Sequence, residues 1–202
     1  MLYNLKGKLT VSAADFIVVE CGGVGFKCFT TLNTVQNIGK TGDEVNVFTY
    51  LAVREDAMDL YGFASPAELD AFKLLISVSG IGPKAAVAIL SELTPDRLAV
   101  CIAAGDTKAI TAAQGVGKKT AERVVLELKD KMAGIAVSGE AKIAAAGVAN
   151  LSDGSSAGEA VEALVALGFS QSDAAVVVGK MDKSLTVDEM IRLGLKQLSR
   201  NL

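Results

Sequence analysis

The chain has 202 residues, half of them apolar and 21% charged, with a formal net charge of −3. That balance suits a globular protein of one large domain or two to three small ones, and it speaks against a simple polycationic nucleic-acid binder. Histidine is absent, which excludes His-based nucleophile activation, His-based acid–base chemistry and the usual zinc sites.

Residues 1–64 read as strands. "LYNLKGKLTV", "FIVVE", "GFKCFTT", "EVNVFTYLAV" and "AMDLYGF" are short β-branched or aromatic runs divided by turn signals. Gly22-Gly23 predicts one hairpin turn and Lys40-Thr41-Gly42-Asp43 another. Val45, Val47, Thr49, Leu51 and Val53 share a face by period two. Five strands at this spacing suit a small closed barrel of the OB type, and another small β-fold would also satisfy the pattern. Arg54-Glu55-Asp56-Ala57 falls at the tip between the fourth and fifth strands, where a charged turn is ordinarily just solvated.

At Ser65 the period changes. Ser65 is placed as a helix N-cap, Pro66 at the first helical position and Glu68 where a capping box wants it. Helical periodicity then runs to about Met132, interrupted at Gly80-Ile81-Gly82, Thr94-Pro95, Gly105-Asp106 and Gly115-Val116-Gly117. This predicts an all-helical domain over 65–142.

That domain repeats a motif. "LLISVSGIGPKAAVAIL" and "AITAAQGVGKKTAERVV" superpose with Gly80 on Gly115, Gly82 on Gly117 and Lys84 on Lys119. Each is a helix end, Gly-apolar-Gly, then a new helix carrying a lysine. The glycines permit a tight hairpin and close approach by a ligand backbone, and the helix after them opens with unpaired N–H groups at its positive end. Lys84, Lys118 and Lys119 add formal charge, and Arg123 extends the face one turn on. Within 108–131 six basic residues stand against three acidic ones, so the positive charge is local to this motif.

The ligand follows by comparison of motifs. A P-loop would need glycine where Ala112 stands and Ser or Thr where Lys119 stands. A dinucleotide fingerprint needs a third glycine and a preceding strand, and neither copy has them. Two equivalent grips suit a ligand that repeats its phosphates, as a polynucleotide does. Hairpin amides and lysines at phosphates position without reading bases, so binding should be independent of sequence.

From 143 to 157 the chain is Ala, Gly and Ser with few large side chains, which predicts a flexible linker. Residues 158–202 predict three short helices, the last opened by a Thr186/Glu189 capping box. Its "ALGF" turn is similar to that of a ubiquitin-associated (UBA-like) fold, a likeness that carries no ligand with it.

This order of parts resembles the RuvA family of bacterial Holliday-junction-binding proteins, and the resemblance covers essentially all 202 residues. "SGIGPKAAVAIL" and "QGVGKKTAERVVLELKDK" are helix-hairpin-helix motifs as that family carries them. The resemblance implies a DNA-binding subunit of a branch-migration helicase complex in recombinational DNA repair and the SOS response. It further implies the RuvB ATPase and the RuvC resolvase as partners, and a homotetramer able to double to an octamer on DNA. Glu55 and Asp56 stand where the family places an acidic pin at the junction centre. Carboxylates there would penalise a duplex running through the centre and tolerate four splayed arms. Leu164, Leu167, Phe169 and Leu195 are the candidates for contact with the motor, each equally suited to the core of a three-helix domain.

No catalytic constellation, metal site or cofactor is expected. The acidic residues form no obvious magnesium site, and Cys21, Cys28 and Cys101 lack any CxxC pair and suit small buried side chains in a reducing compartment. No apolar run approaches the ~18 residues of a membrane span, and "MLYNLKGKLT" lacks the order of a signal peptide, so a cytoplasmic location is expected. Two rivals remain: a helix-hairpin-helix nuclease or glycosylase, which would need a catalytic Asp or Lys in a pocket, and a non-catalytic adaptor that would ignore four-way DNA.

Overall fold

The computed structural model describes residues 2–129, 156–169, 171–182 and 185–198. Five strands close a barrel in the order β1-β2-β3-β5-β4: β1 (Asn4–Ser12), β2 (Phe16–Cys21), β3 (Val24–Phe29), β4 (Glu44–Val53) and β5 (Met58–Phe63). All pairings are antiparallel except the closing contact of β3 with β5, at Phe29 and Tyr61. Gly22 and Gly23 both take positive φ, +60° and +83°, the geometry a two-residue hairpin needs to match strand twist. Leu5, Leu9, Ile17, Val19, Cys28, Val45, Val47 and Leu60 fill the interior. Burial pushes the Cys28 thiol up to about 12, with the nearby Cys21 adding to it, so Cys28 behaves as core material.

Between β3 and β4 the structure departs from expectation. The third strand ends at Phe29, and Thr31 instead caps a short helix, α1 (Leu32–Asn37), its hydroxyl accepting from the Thr34 amide at 3.0 Å. The Lys40–Asp43 turn exists, with the Asp43 amide bonded to the Lys40 carbonyl at 3.0 Å, but it joins α1 to β4 instead of two neighbouring strands.

The next elements are α2 (Pro66–Ile76), α3 (Pro83–Glu92), α4 (Pro95–Ala104), α5 (Thr107–Thr111) and α6 (Lys118–Leu128). Ser65 caps α2 as expected, accepting from the Glu68 amide at 3.2 Å. Glu68 does not complete the capping box. Its carboxylate is 4% exposed and accepts from the Thr31 and Thr34 hydroxyls of α1, the second at 2.6 Å. The two hydroxyl donors offset the cost of burying that carboxylate. Phe72 of α2 packs on the barrel against Phe63, Tyr61 and Tyr50, with ring centroids 4.9, 5.3 and 5.4 Å away. Truncating such a ring to alanine costs about 3–5 kcal/mol. α1 also meets α3, where the Leu32 amide donates to the Ser91 hydroxyl at 3.0 Å and the Asn33 side chain to the Leu90 carbonyl. Of the described residues, those up to 95 with 113–115 form one compact unit, and those of 96–112 and from 116 onward the other.

The expected linker lies outside the described residues apart from Ser156 and Ala157, which open α7 (Ser156–Ala166). With α8 (Gln171–Gly179) and α9 (Val187–Leu198), α7 encloses a core of Ala160, Val161, Leu164, Ala174, Ala175, Val178, Met190 and Leu198. Thr186 and Glu189 form the predicted capping box, with reciprocal bonds of 3.0 and 3.4 Å. The Thr186 amide and then its hydroxyl, which donates at 2.9 Å, hold the Glu189 carboxyl below its ordinary value. Among the described residues no helix is long and apolar enough to cross a membrane.

Candidate nucleic-acid interface

Each repeated motif folds as a helix, a hairpin and a second helix. Gly80 and Gly115 open the hairpins at φ +90° and +82°, where a side chain would be strained. Ile81 and Val116 point inward at 5% and 6% exposure and anchor each hairpin. One turn into the following helices, Ala86 and Ala121 are fully buried, which explains the small residue at that register.

Gly82 and Gly117 are a different case. They cap α3 and α6 at φ −89°, ψ 170° and φ −83°, ψ 165°, extended backbone open to any residue. A Cβ built at either would meet nothing within 4 Å. Among the described residues nothing requires glycine there. Both helices also lack a side-chain cap, and the first intrahelical bonds run from the Ala86 and Ala121 amides to the cap carbonyls, each 3.0 Å. The amides ahead of them face outward without helical partners. An uncapped helix end with an unobstructed approach leaves amides and the positive end of the helix dipole open to an anion.

Cations surround these ends. Lys84, Lys118, Lys119 and Arg123 are all exposed. Lys118 lies 4.0 Å from Glu122 and Arg123 3.8 Å from Glu127 along α6, solvent-screened i,i+4 pairs that a phosphate can outcompete. Among the described residues Lys84 and Lys119 form no ion pair.

The β4–β5 hairpin carries the opposite charge. The Arg54 amide donates to the Ala57 carbonyl at 2.8 Å and closes the tip. The Arg54 side chain turns away to pair with Asp59 on β5. Glu55 and Asp56 are left exposed at the tip, and no described cation neutralises them. Sequence reading missed Asp59, although its place two residues into β5, within reach of the tip, was a usable signal.

In the last domain the four contact candidates separate. Leu164 is 0% exposed and lies under α9, where a Cβ on Gly194 would stand 2.8 Å from it. It serves the core, because three short helices have few other large side chains to place inside. Phe169 and Leu195 are half-buried against that core, and Leu167 is 59% exposed. Val165 and Leu193, not singled out from sequence, are exposed as well. Among the described residues no group of three or more Cys, Asp or Glu side chains could hold a metal ion.

Three family models match the chain in order: the RuvA N-terminal domain over residues 1–62, a SAM-like helix-hairpin-helix tandem over 72–130, and the RuvA C-terminal domain over 155–199. Similar curated proteins are named Holliday junction branch migration complex subunit RuvA. That of Acetivibrio thermocellus is 43% identical over 201 residues, covering 99% of this chain and 100% of its own length. Those of Symbiobacterium thermophilum and Chromobacterium violaceum are each 40% identical, again over 99% of this chain and their full lengths.

Proposed function

We propose, from the premise that this chain belongs to the RuvA family, that it binds four-way DNA junctions by structure and not by sequence and serves as the non-catalytic DNA-binding subunit of a branch-migration complex. The observation that carries this reading is the pair of cap glycines, Gly82 and Gly117. Neither is needed by the chain's own backbone or packing, so the space in front of each is explained by a ligand that approaches main chain directly. Phosphates at the two uncapped helix ends, with Lys84, Lys118, Lys119 and Arg123 beside them, supply affinity without base readout.

Glu55 and Asp56 act as the pin. Their unneutralised charge repels phosphates at the crossover and so favours four arms splayed around the tip over a continuous duplex. The domain division supported by the family matches is barrel, helix-hairpin-helix tandem and C-terminal three-helix domain. The last docks the RuvB motor through Leu167, Phe169 and Leu195, with Leu164 holding them from beneath. A fourfold assembly, single or doubled across the DNA, gathers the grips needed for four arms. RuvC is a further partner on the same junction, and the complex works in the cytoplasm.

A gel-shift series with four-way, forked and linear DNA of one sequence tests this directly. The four-way form should bind tightest. Lys118→Ala with Lys119→Ala should weaken binding for every arm sequence alike and reduce the salt slope by about two for each engaged subunit. Equal binding of linear DNA, or an unchanged slope, would overturn the reading.

A further inference from the structure

The charge of the β4–β5 tip depends on a residue outside it. Arg54, Glu55 and Asp56 are consecutive, so an arginine stands beside both carboxylates that the reading above places at the crossover. A guanidinium free at that position would offset their charge, and its long side chain would reach the phosphates they repel. The tip can discriminate by repulsion only if that cation is held elsewhere.

It is held at Asp59. The 2.8 Å bond from the Arg54 amide to the Ala57 carbonyl fixes Arg54 at the base of the turn, and its guanidinium pairs with the Asp59 carboxylate. Asp59 lies opposite Ala52 and shares with Tyr61, by period two, the face of β5 that meets Phe72 of α2. Its side chain is 22% exposed, whereas Glu55 and Asp56 stand in solvent. An arginine pair at a half-buried carboxylate is less screened than one at the tip, so Asp59 wins the competition. The Tyr61 phenol registers both charges: burial first and Asp59 next raise its pKa, while Arg54 lowers it. Asp15, from the β1–β2 loop, and Lys84, at the start of α3, line the same cleft as this pair. Among the described residues Arg54 nonetheless forms no ion pair with Asp15, Glu55 or Asp56.

We propose that Asp59 sets the specificity of the tip: by holding Arg54 it leaves Glu55 and Asp56 uncompensated, and so makes the tip reject a continuous duplex. The proposal rests on the junction-binding and pin reading above. Asp59 is a positioning residue that acts through Arg54 and needs no contact with DNA. Its loss should favour plain duplex over the four-way form, because a continuous duplex would cross the tip while splayed arms pass around it. A released Arg54 therefore relieves repulsion mainly where the repulsion was felt.

The test is a competition gel shift of the full-length chain with linear and four-way DNA of one sequence. Asp59→Asn, which keeps the shape and removes the charge, should raise duplex affinity relative to the four-way form by about fivefold, and Asp59→Ser should do the same. Asp59→Glu, which can still hold the guanidinium, should stay within about twofold of wild type. In an Arg54→Gln background, Asp59→Asn should change the ratio by less than about twofold, since no cation is left to release. Thermal melting by circular dichroism checks that each variant is folded. An unchanged ratio in both Asp59→Asn and Asp59→Ser overturns the proposal. So does an equal rise in the Arg54→Gln background, which would show Asp59 acting by its own charge. Glu55→Gln with Asp56→Asn separates this inference from the reading beneath it. Unchanged duplex binding in that protein removes the pin and the role of Asp59 with it, whereas a rise there with none in the Asp59 variants overturns the role of Asp59 alone.

Discussion

Gly82 and Gly117 differ from Gly80 and Gly115 in what their missing side chains serve. At the first hairpin position the backbone itself demands glycine, with φ near +90°. Gly115→Ala should therefore lower stability by about 1–2 kcal/mol, read as a fall in melting temperature. At the cap position the proposed demand comes from a ligand. Serine is a better N-cap than glycine and fits φ −83°, ψ 165° without a clash. Gly117→Ser should leave stability unchanged or raise it by a few tenths of a kcal/mol. It should nonetheless weaken junction binding by about tenfold, because its hydroxyl occupies the amides a phosphate would use. A Gly117→Ser protein that binds as wild type would show that no ligand enters there.

The β4–β5 hairpin illustrates how an element acquires a charge its composition does not suggest. Its tip reads Arg-Glu-Asp, net −1 on paper. Folding turns Arg54 onto Asp59 and leaves two carboxylates projecting together. Glu55→Gln with Asp56→Asn should raise affinity for plain duplex by about tenfold relative to the four-way form. The measurement is a competition gel shift, and unchanged duplex binding would remove the pin from the account. Both hairpin motifs are likewise properties of elements. Each was readable because its determinants lie within 17 consecutive residues, the span of either repeat.

At the scale of the whole molecule the proposed division of labour separates DNA from motor. Deleting residues 158–202 should leave the junction shift intact while abolishing stimulation of the partner ATPase, measured as branch migration of a labelled junction. Loss of junction binding on that deletion would contradict the division. Within the last domain the Leu164–Gly194 contact makes one candidate internal, so Leu167→Ala should reduce motor stimulation without unfolding the domain, as judged by its circular dichroism.

What the sequence determined alone were the features whose causes are local. Period-two runs placed the strands, Ser65 and Thr186 placed helix starts, and the twice-repeated Gly-apolar-Gly with lysines in register marked the two hairpins. Local rules sufficed because turn geometry, capping and the first unpaired amides of a helix depend on neighbours three or four residues away. The tertiary structure decided where side chains with two available partners would go. Glu68 left its own helix end for Thr31 and Thr34, 37 and 34 residues earlier. Arg54 chose Asp59, Leu164 went inside, and residues as distant as Asp15 and Lys84 came to line one cleft. Those outcomes depend on barrel closure, on α2 packing against the barrel and α3 against α1 and α2, and, for Leu164, on α7 packing against α9, and burial energies of that kind act between residues that no short window of sequence brings together.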